Sequence, residues 1–270
     1  MSIKTSAPTR TRLADQPGSE NSAHPLLEAP LVGQALGVDA KLDWLMTPAE
    51  QVGMLYLLNQ LRPKVAIEIG TRFGGSLQVL SRYSDKVYSL DIDPEVTKRL
   101  HGRFSNVEYL TGPSDEVLPG LLDRLQADEA ELSFALVDGD HSTEGVRKDI
   151  DALLKYTPRV PMYIVMHDSF HGVCRDGLKA ADWAGCPYVH AVELDFVPGI
   201  VNPFPASLGQ LWGGLALGVL KPEPRSGPLE ITEWSKLTYE LANAAYEASL
   251  REPLLPRVVK RIKQRLGGER

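Results

Sequence analysis

Two short stretches concentrate the side chains that bind cations and move protons. One is Leu136-Val137-Asp138-Gly139-Asp140-His141, the other His167-Asp168-Ser169. Each closes an apolar, β-rich run, so both are expected at strand ends. Three Asp and two His brought to adjacent strand ends repel one another and lose hydration unless something offsets that cost. A divalent cation would do so, and Asp oxygens are hard ligands suited to Mg²⁺. The competing reading makes Asp138 a helix-dipole partner only, but Asp140 and Asp168 nearby argue for chemistry. His141 by itself reads more readily as a strand-end hydrogen-bonder than as a base. Ser142 and Thr143 read as helix caps. His171 and Arg175 fall on the loop after the second stretch, from which they could reach substrate, but a solvated loop is the expected setting.

A glycine-rich turn lies upstream. Ala66–Ser76, AIEIGTRFGGS, ends one strand and starts a helix. Gly70, Gly74 and Gly75 let backbone approach a ligand, and a helix N-terminus favours an anionic group there. Asp91 closes the next strand, 21 residues after Gly70, where such folds bind ribose hydroxyls. The dinucleotide spacing GxGxxG is excluded because Arg72 stands at its second glycine. Gly112-Pro113-Ser114-Asp115 closes a third strand. Asp115 there is either a ligand contact or a charge on a helix dipole.

The elements that must position these groups alternate. Strands are expected at Lys64–Ile69, Lys86–Ile92, Val107–Leu110, Leu132–Val137 and Met162–Met166. Helices are expected between them, at Gly75–Tyr83, Pro94–Phe104, Ser114–Gln126 and Ser142–Tyr156. Before them, the capping box at Thr47-Pro48-Ala49-Glu50 opens a helix to about Arg62. Apolar strands separated by helices indicate a parallel sheet covered on both faces, a doubly wound Rossmann-like α/β fold. A helix at about Arg175–Ala184 follows. Strands Tyr188–Phe196 and Leu211–Leu220, joined without a helix, form an antiparallel pair. Pro198, Pro203 and Pro205 make the Val197–Gly209 loop a lid candidate. Helices at about Leu229–Leu250 and Arg257–Leu266 end the chain.

Composition narrows the function. Among 270 residues, 43% are apolar and 24% charged, ordinary globular values. No apolar run approaches the roughly 18 residues of a membrane span, and the first 25 residues lack the apolar segment of a secretory signal. Two cysteines, Cys174 and Cys186, match no disulfide framework, and a reducing cytoplasm is expected. The net charge of −6 conceals a +5 excess over residues 251–270, leaving −11 elsewhere. An acidic body is a poor nucleic-acid groove, so the expected partner is a small molecule. The basic terminal helix is amphipathic and is expected to dock on the domain, with an anionic membrane surface as the alternative.

Glu68-x-Gly70-x-x-x-Gly74 resembles motif I of the class I S-adenosylmethionine (SAM)-dependent methyltransferases. The resemblance runs from about Thr47 to Leu220, about two thirds of the chain. It implies SAM as cofactor, with Glu68 among the residues that bind it, Gly70 lining the methionine end and Ser76 holding its carboxylate. Asp91 would take the ribose hydroxyls, and Ser114 and Asp115 would flank adenine. VDGDH followed by HDS resembles a metal-dependent O-methyltransferase subgroup. Catechol-type enzymes, macrolide-sugar and aminocoumarin-sugar O-methyltransferases and cephalosporin-hydroxylase-like proteins belong to it. That implies Asp138 and Asp168 as metal ligands with His167 completing the set, and Mg²⁺ as the cation with Mn²⁺ second. Sugar methyltransferases of this type point to Asp140 as base, whereas catechol-type enzymes carry their base lysine at the position of His141. Relatives usually have Asp-Asp or Asp-Asn where this chain has His167-Asp168. Imidazole is a poorer Mg²⁺ ligand than carboxylate, so His167 stands behind the ligands or signals a softer metal.

The expected protein is therefore a divalent-metal-assisted SAM O-methyltransferase acting on a small-molecule hydroxyl. A sugar of a natural product or glycan is the first acceptor and a catechol the second. A homo-oligomer is expected. One domain is expected over residues 26–250, with a disordered tail at 1–25 and the basic helix at 251–270. Two alternatives stand: a non-haem iron oxygenase using His141, His167 and a carboxylate, and a SAM-binding module without chemistry.

Overall fold

A computed structural model describes residues 37–202 and 208–251 of the chain. The expectations for residues 1–25 and 257–266, and part of the lid candidate, lie outside the described residues. Helix α1 (Pro48–Leu61) begins at the expected capping box, with Thr47 and Glu50 each bonding the other's backbone N–H. Then come β1 (Val65–Ile69), α2 (Gly75–Tyr83), β2 (Lys86–Asp91), α3 (Pro94–Leu100), β3 (Val107–Thr111), α4 (Ser114–Ala127), β4 (Leu132–Val137), α5 (Thr143–Leu153), β5 (Met162–His167) and α6 (Gly172–Ala180). The chain continues through β6 (Val189–Val197), β7 (Ile200–Val201), β8 (Leu211–Trp212), β9 (Leu215–Leu220), β10 (Glu230–Thr232) and α7 (Lys236–Arg251).

The main sheet has eight strands in the order β10-β6-β9-β5-β4-β1-β2-β3. Strands β1 to β5 are parallel to one another, while β9 runs antiparallel to both β5 and β6. The Rossmann-like sheet and the antiparallel pair are as the sequence indicated. Alternate strand residues face opposite layers. Ala66, Phe134 and Val165 pack with Met54 and Leu58 of α1 and Leu77 of α2. Ile67, Ala135 and Ile164 pack with Leu121 of α4 and Ile150 of α5. Burial on both faces is why these strands read as continuous apolar runs.

Register brings the chemistry to one edge. Ile69 lies opposite Leu90 on β2 and Val137 on β4, and Val137 lies opposite Met166 on β5. Gly70, Asp91, Asp138 and His167 therefore leave the sheet at its carboxyl edge, around the β1/β4 switch point where open α/β sheets hold ligands.

Several elements differ from the sequence reading. Helix α3 stops at Leu100, and Gly102 soon after has φ +74°, outside the helical range. Helix α6 starts three residues early, at Gly172. The expected strand Leu211–Leu220 is broken by Gly213 and Gly214, with φ +70° and +88°, into β8 and β9. The expected helix from Leu229 begins instead as β10, which pairs in parallel with β6. Ile231 and Thr232 are β-branched, and the open edge of β6 supplies partners that a helix would forgo.

Candidate functional site

The β1–α2 turn depends on glycine. Gly70 has φ +88°, and a Cβ there would overlap the Asp138 carbonyl at the end of β4. Beneath the turn Glu68 is fully buried. Its carboxylate accepts hydrogen bonds from the hydroxyls of Ser76 at 2.6 Å and Thr71 at 2.8 Å. Burial raises its pKa from 4.5 to about 7 against those two bonds. The Ser76 hydroxyl hydrogen is thereby committed to Glu68. Asp91 accepts from the backbone N–H groups of Thr71 (3.0 Å), Arg72 (2.8 Å) and Asp93 (2.9 Å). Its carboxylate is thus fixed at the rim of the turn, with lone pairs remaining. Ser114 donates to Asp149 at 2.6 Å, and Asp115 pairs loosely with Lys148 at 3.4 Å.

A cavity of about 1160 Å³ joins these groups to the acidic stretch. Its wall runs from Asp91, Gly70, Ser76, Ser114 and Asp115 to Asp138, Asp140, His141, His167 and Asp168. That volume accommodates a nucleoside-sized ligand together with a second small molecule.

Four residues converge on its far side. Ligand atoms of Asp138, His141, His167 and Asp168 all lie within 4.8 Å of one another. His141 Nε2 is 3.0 Å from Asp168 and 3.5 Å from Asp138, while His167 Nδ1 is 3.0 Å from Asp138. Asp168, at φ +56°, turns one oxygen toward the N–H of Gly213 at 2.8 Å and the other toward the imidazoles. Hydrogen bonds to Asp138 and Asp168 push His141 up to about 10. Burial works to raise both carboxyl groups, but the imidazoles beside them hold each below its ordinary value. Two carboxylates and two imidazoles in one pocket form a donor set that a divalent cation fits.

Asp140, two residues after Asp138, stands apart from this group. Its oxygens accept from the backbone N–H and the hydroxyl of Ser142, both at 2.9 Å, and it faces the cavity from an exposed turn. Ser142 caps α5 as expected, accepting from the N–H of Gly145 at 3.0 Å.

Other residues are placed differently from expectation. Arg175 is 1% exposed, pairing with Asp195 at 2.9 Å and Glu233 at 3.0 Å, so it braces the fold instead of reaching into solvent. His171 stacks on Trp212, ring centroids 4.4 Å apart, with Cys174 Sγ 3.3 Å from its Nδ1. Cys174 and Cys186 are free and buried. Sequence reasoning missed Glu50 and the Gly213-Gly214 pair. The capping box had marked Glu50 only as a helix cap, yet its carboxylate also accepts from Gly214 N–H and lies 3.7 Å from His167 Nε2. The paired glycines were a signal available in the sequence.

Residues 67–169 match the family model described as a methyltransferase domain. The match spans less than half of the chain, from within β1 to just past β5. Solved structures that resemble the chain include the following three. The O-methyltransferase from Bacillus cereus, in complex with SAH, is 16% identical over 74% of this chain and 92% of its own, with a TM-score of 0.50. The cofactor-bound protein Rv0187 from MTB is 21% identical over 74% and 91%, with a TM-score of 0.49. TomG from Streptomyces achromogenes, an O-methyltransferase in complex with SAM, is 17% identical over 74% and 91%, at 0.48. No curated protein matches the sequence. Among the described residues, no helix is long and apolar enough to cross a membrane.

Proposed function

We propose that this protein is a SAM-dependent methyltransferase that transfers the methyl group to a hydroxyl of a small molecule with the help of a divalent cation. The observation that carries the reading is the convergence of Asp138, His141, His167 and Asp168 on the cavity that Gly70 and Asp91 also line. A sugar hydroxyl is the preferred acceptor and a catechol the second, both on the sequence resemblance.

Bound SAM supplies an electrophilic sulfonium methyl, and a bound cation lowers the pKa of an adjacent hydroxyl. The chain's residues do the rest. Asp91 accepts hydrogen bonds from the ribose hydroxyls, and Ser114 and Asp115 flank the adenine. Gly70 lets the methionine end pass close to the backbone. Ser76 serves its carboxylate through the first-turn amides of α2, which lack intrahelical partners, because its hydroxyl is bound to Glu68. Asp138 and Asp168 hold the cation with His167. Asp140, which lines the cavity, takes the hydroxyl proton. His141, whose Nε2 lies between Asp138 and Asp168, is the second and weaker candidate for that step, because the two carboxylates hold a proton on it up to about pH 10. Much of the rate comes from holding acceptor and methyl donor in line.

The iron-oxygenase alternative is not favoured, since it leaves the Gly70 turn and Asp91 without a purpose. The test is methyl transfer from labelled SAM to sugar and catechol acceptors, with and without EDTA. Loss on chelation and recovery with added divalent cation are expected. Transfer that survives chelation, in wild type and in Asp138→Asn alike, would refute the cation's role.

A further inference from the structure

Half of the converging ligand atoms are nitrogen, and one of the two imidazoles is held from behind. The His167 side chain is 8% exposed. Its Nδ1 faces Asp138 at 3.0 Å and Asp168 at 3.6 Å, and its Nε2 has no hydrogen-bond partner. Glu50 Oε2 lies 3.7 Å from that Nε2. Glu50 is itself 1% exposed and locked from two sides, by the N–H of Thr47 and the N–H of Gly214. The neighbouring amide, that of Gly213, holds Asp168. One Gly-Gly turn thus anchors two carboxylates of the same centre. A Cβ on Gly213 would run into Glu50, and its φ of +70° suits glycine.

We propose that this centre is built for a first-row transition ion rather than Mg²⁺, with His141 Nε2 and His167 Nδ1 as ligands and Glu50 orienting His167. The inference rests on the cation-assisted reading above and narrows its metal. An imidazole that ligates through one nitrogen characteristically gives its other N–H to a carboxylate, which sets ring and tautomer. Glu50 stands where that carboxylate belongs. With the proton on Nε2, the bare Nδ1 points at the oxygens of Asp138 and Asp168, an arrangement that a cation between them makes favourable. Mg²⁺ prefers an oxygen shell of strict octahedral form, whereas imidazole suits Fe²⁺, Co²⁺ and Zn²⁺. Glu50 reaches the centre from α1, outside both strand-end motifs.

Most N/O sites favour Co²⁺ over Mg²⁺, so the test reads how that preference depends on nitrogen. The full chain, freed of metal by chelation, is titrated calorimetrically with Mg²⁺ and with Co²⁺, and the visible absorption of the Co²⁺ form is recorded. His141→Gln and His167→Gln should each weaken Co²⁺ binding by on the order of 10–100-fold and shift the Co²⁺ bands, while Mg²⁺ affinity changes little. Glu50→Gln should weaken Co²⁺ by a similar factor. If that variant melts early, the two histidine variants and the wild-type Co²⁺ spectrum decide alone. Histidine variants that keep the wild-type Co²⁺/Mg²⁺ affinity ratio and spectrum would overturn the inference and leave the cation-assisted reading standing. Absence of binding by either ion would overturn both.

Discussion

At the residue scale, Glu68 is the group whose setting most directly sets a pH dependence. Its pKa is about 7 in the fold and 4.5 ordinarily. Between those values the folded protein holds a proton that the unfolded chain has released. The stability contributed by this group therefore falls as pH rises from about 4.5 to 7, by up to about 3 kcal/mol, and is level above that. Glu68→Gln should remove this slope, so its melting temperature should gain on wild type as pH rises through that window. Parallel melting profiles of the two proteins would contradict the assignment. Asp91 invites a second change. It already accepts three backbone N–H groups, so Asp91→Asn preserves the shape of the turn better than alanine would. Calorimetry should show SAM binding weakened by about 1.5–3 kcal/mol for a lost charge-assisted bond. Unchanged affinity would remove Asp91 from the site.

At the scale of elements, the turn between β1 and α2 and the start of α1 are where small changes have large effects. Gly70→Ala places a methyl group against the Asp138 carbonyl at a backbone angle that L-residues avoid. The strand ends must separate, and SAM binding should be lost even in preparations that remain folded by circular dichroism. The α1 capping box is simpler. Thr47→Ala removes one half of it and should cost about 1 kcal/mol in urea unfolding. Because Glu50 at the third position also contacts Gly214 and His167, its substitution should cost more than an ordinary cap. A loss no greater than that of Thr47→Ala would show that its reach into the site is energetically idle.

At the scale of the whole molecule, a buried charge cluster ties the end of the described chain to the sheet. Arg175 on α6 meets Asp195 on β6 and Glu233 just before α7, and its guanidinium lies 4.5 Å from the Tyr239 ring centroid. Breaking a buried pair on one side strands the other charge, at a cost of about 3–5 kcal/mol. Arg175→Met should therefore lower the denaturation midpoint sharply. A variant as stable as wild type would mean that Asp195 and Glu233 find other partners.

The alternation of apolar runs and helical stretches, the capping box, the glycine turn and the acidic strand ends were all legible in the sequence. Each is a local matter: burial on two faces, a satisfied helix end, a backbone angle, or a motif a few residues long. From them came the sheet, its antiparallel pair, and an edge carrying Gly70, Asp91, Asp138 and Asp168. The rest depended on contacts between residues far apart. Glu50 meets Gly214 across 164 positions. Arg175, which in sequence looks like a solvent-facing loop residue, finds its anions 20 and 58 positions away. Residues 230–232 became a strand because β6 had an open edge beside them. Local pattern reports what a segment prefers alone. Which buried charge meets which, and which edge takes one more strand, is decided only when register and packing bring distant segments together, since desolvation and pairing energies exist only in that assembled state.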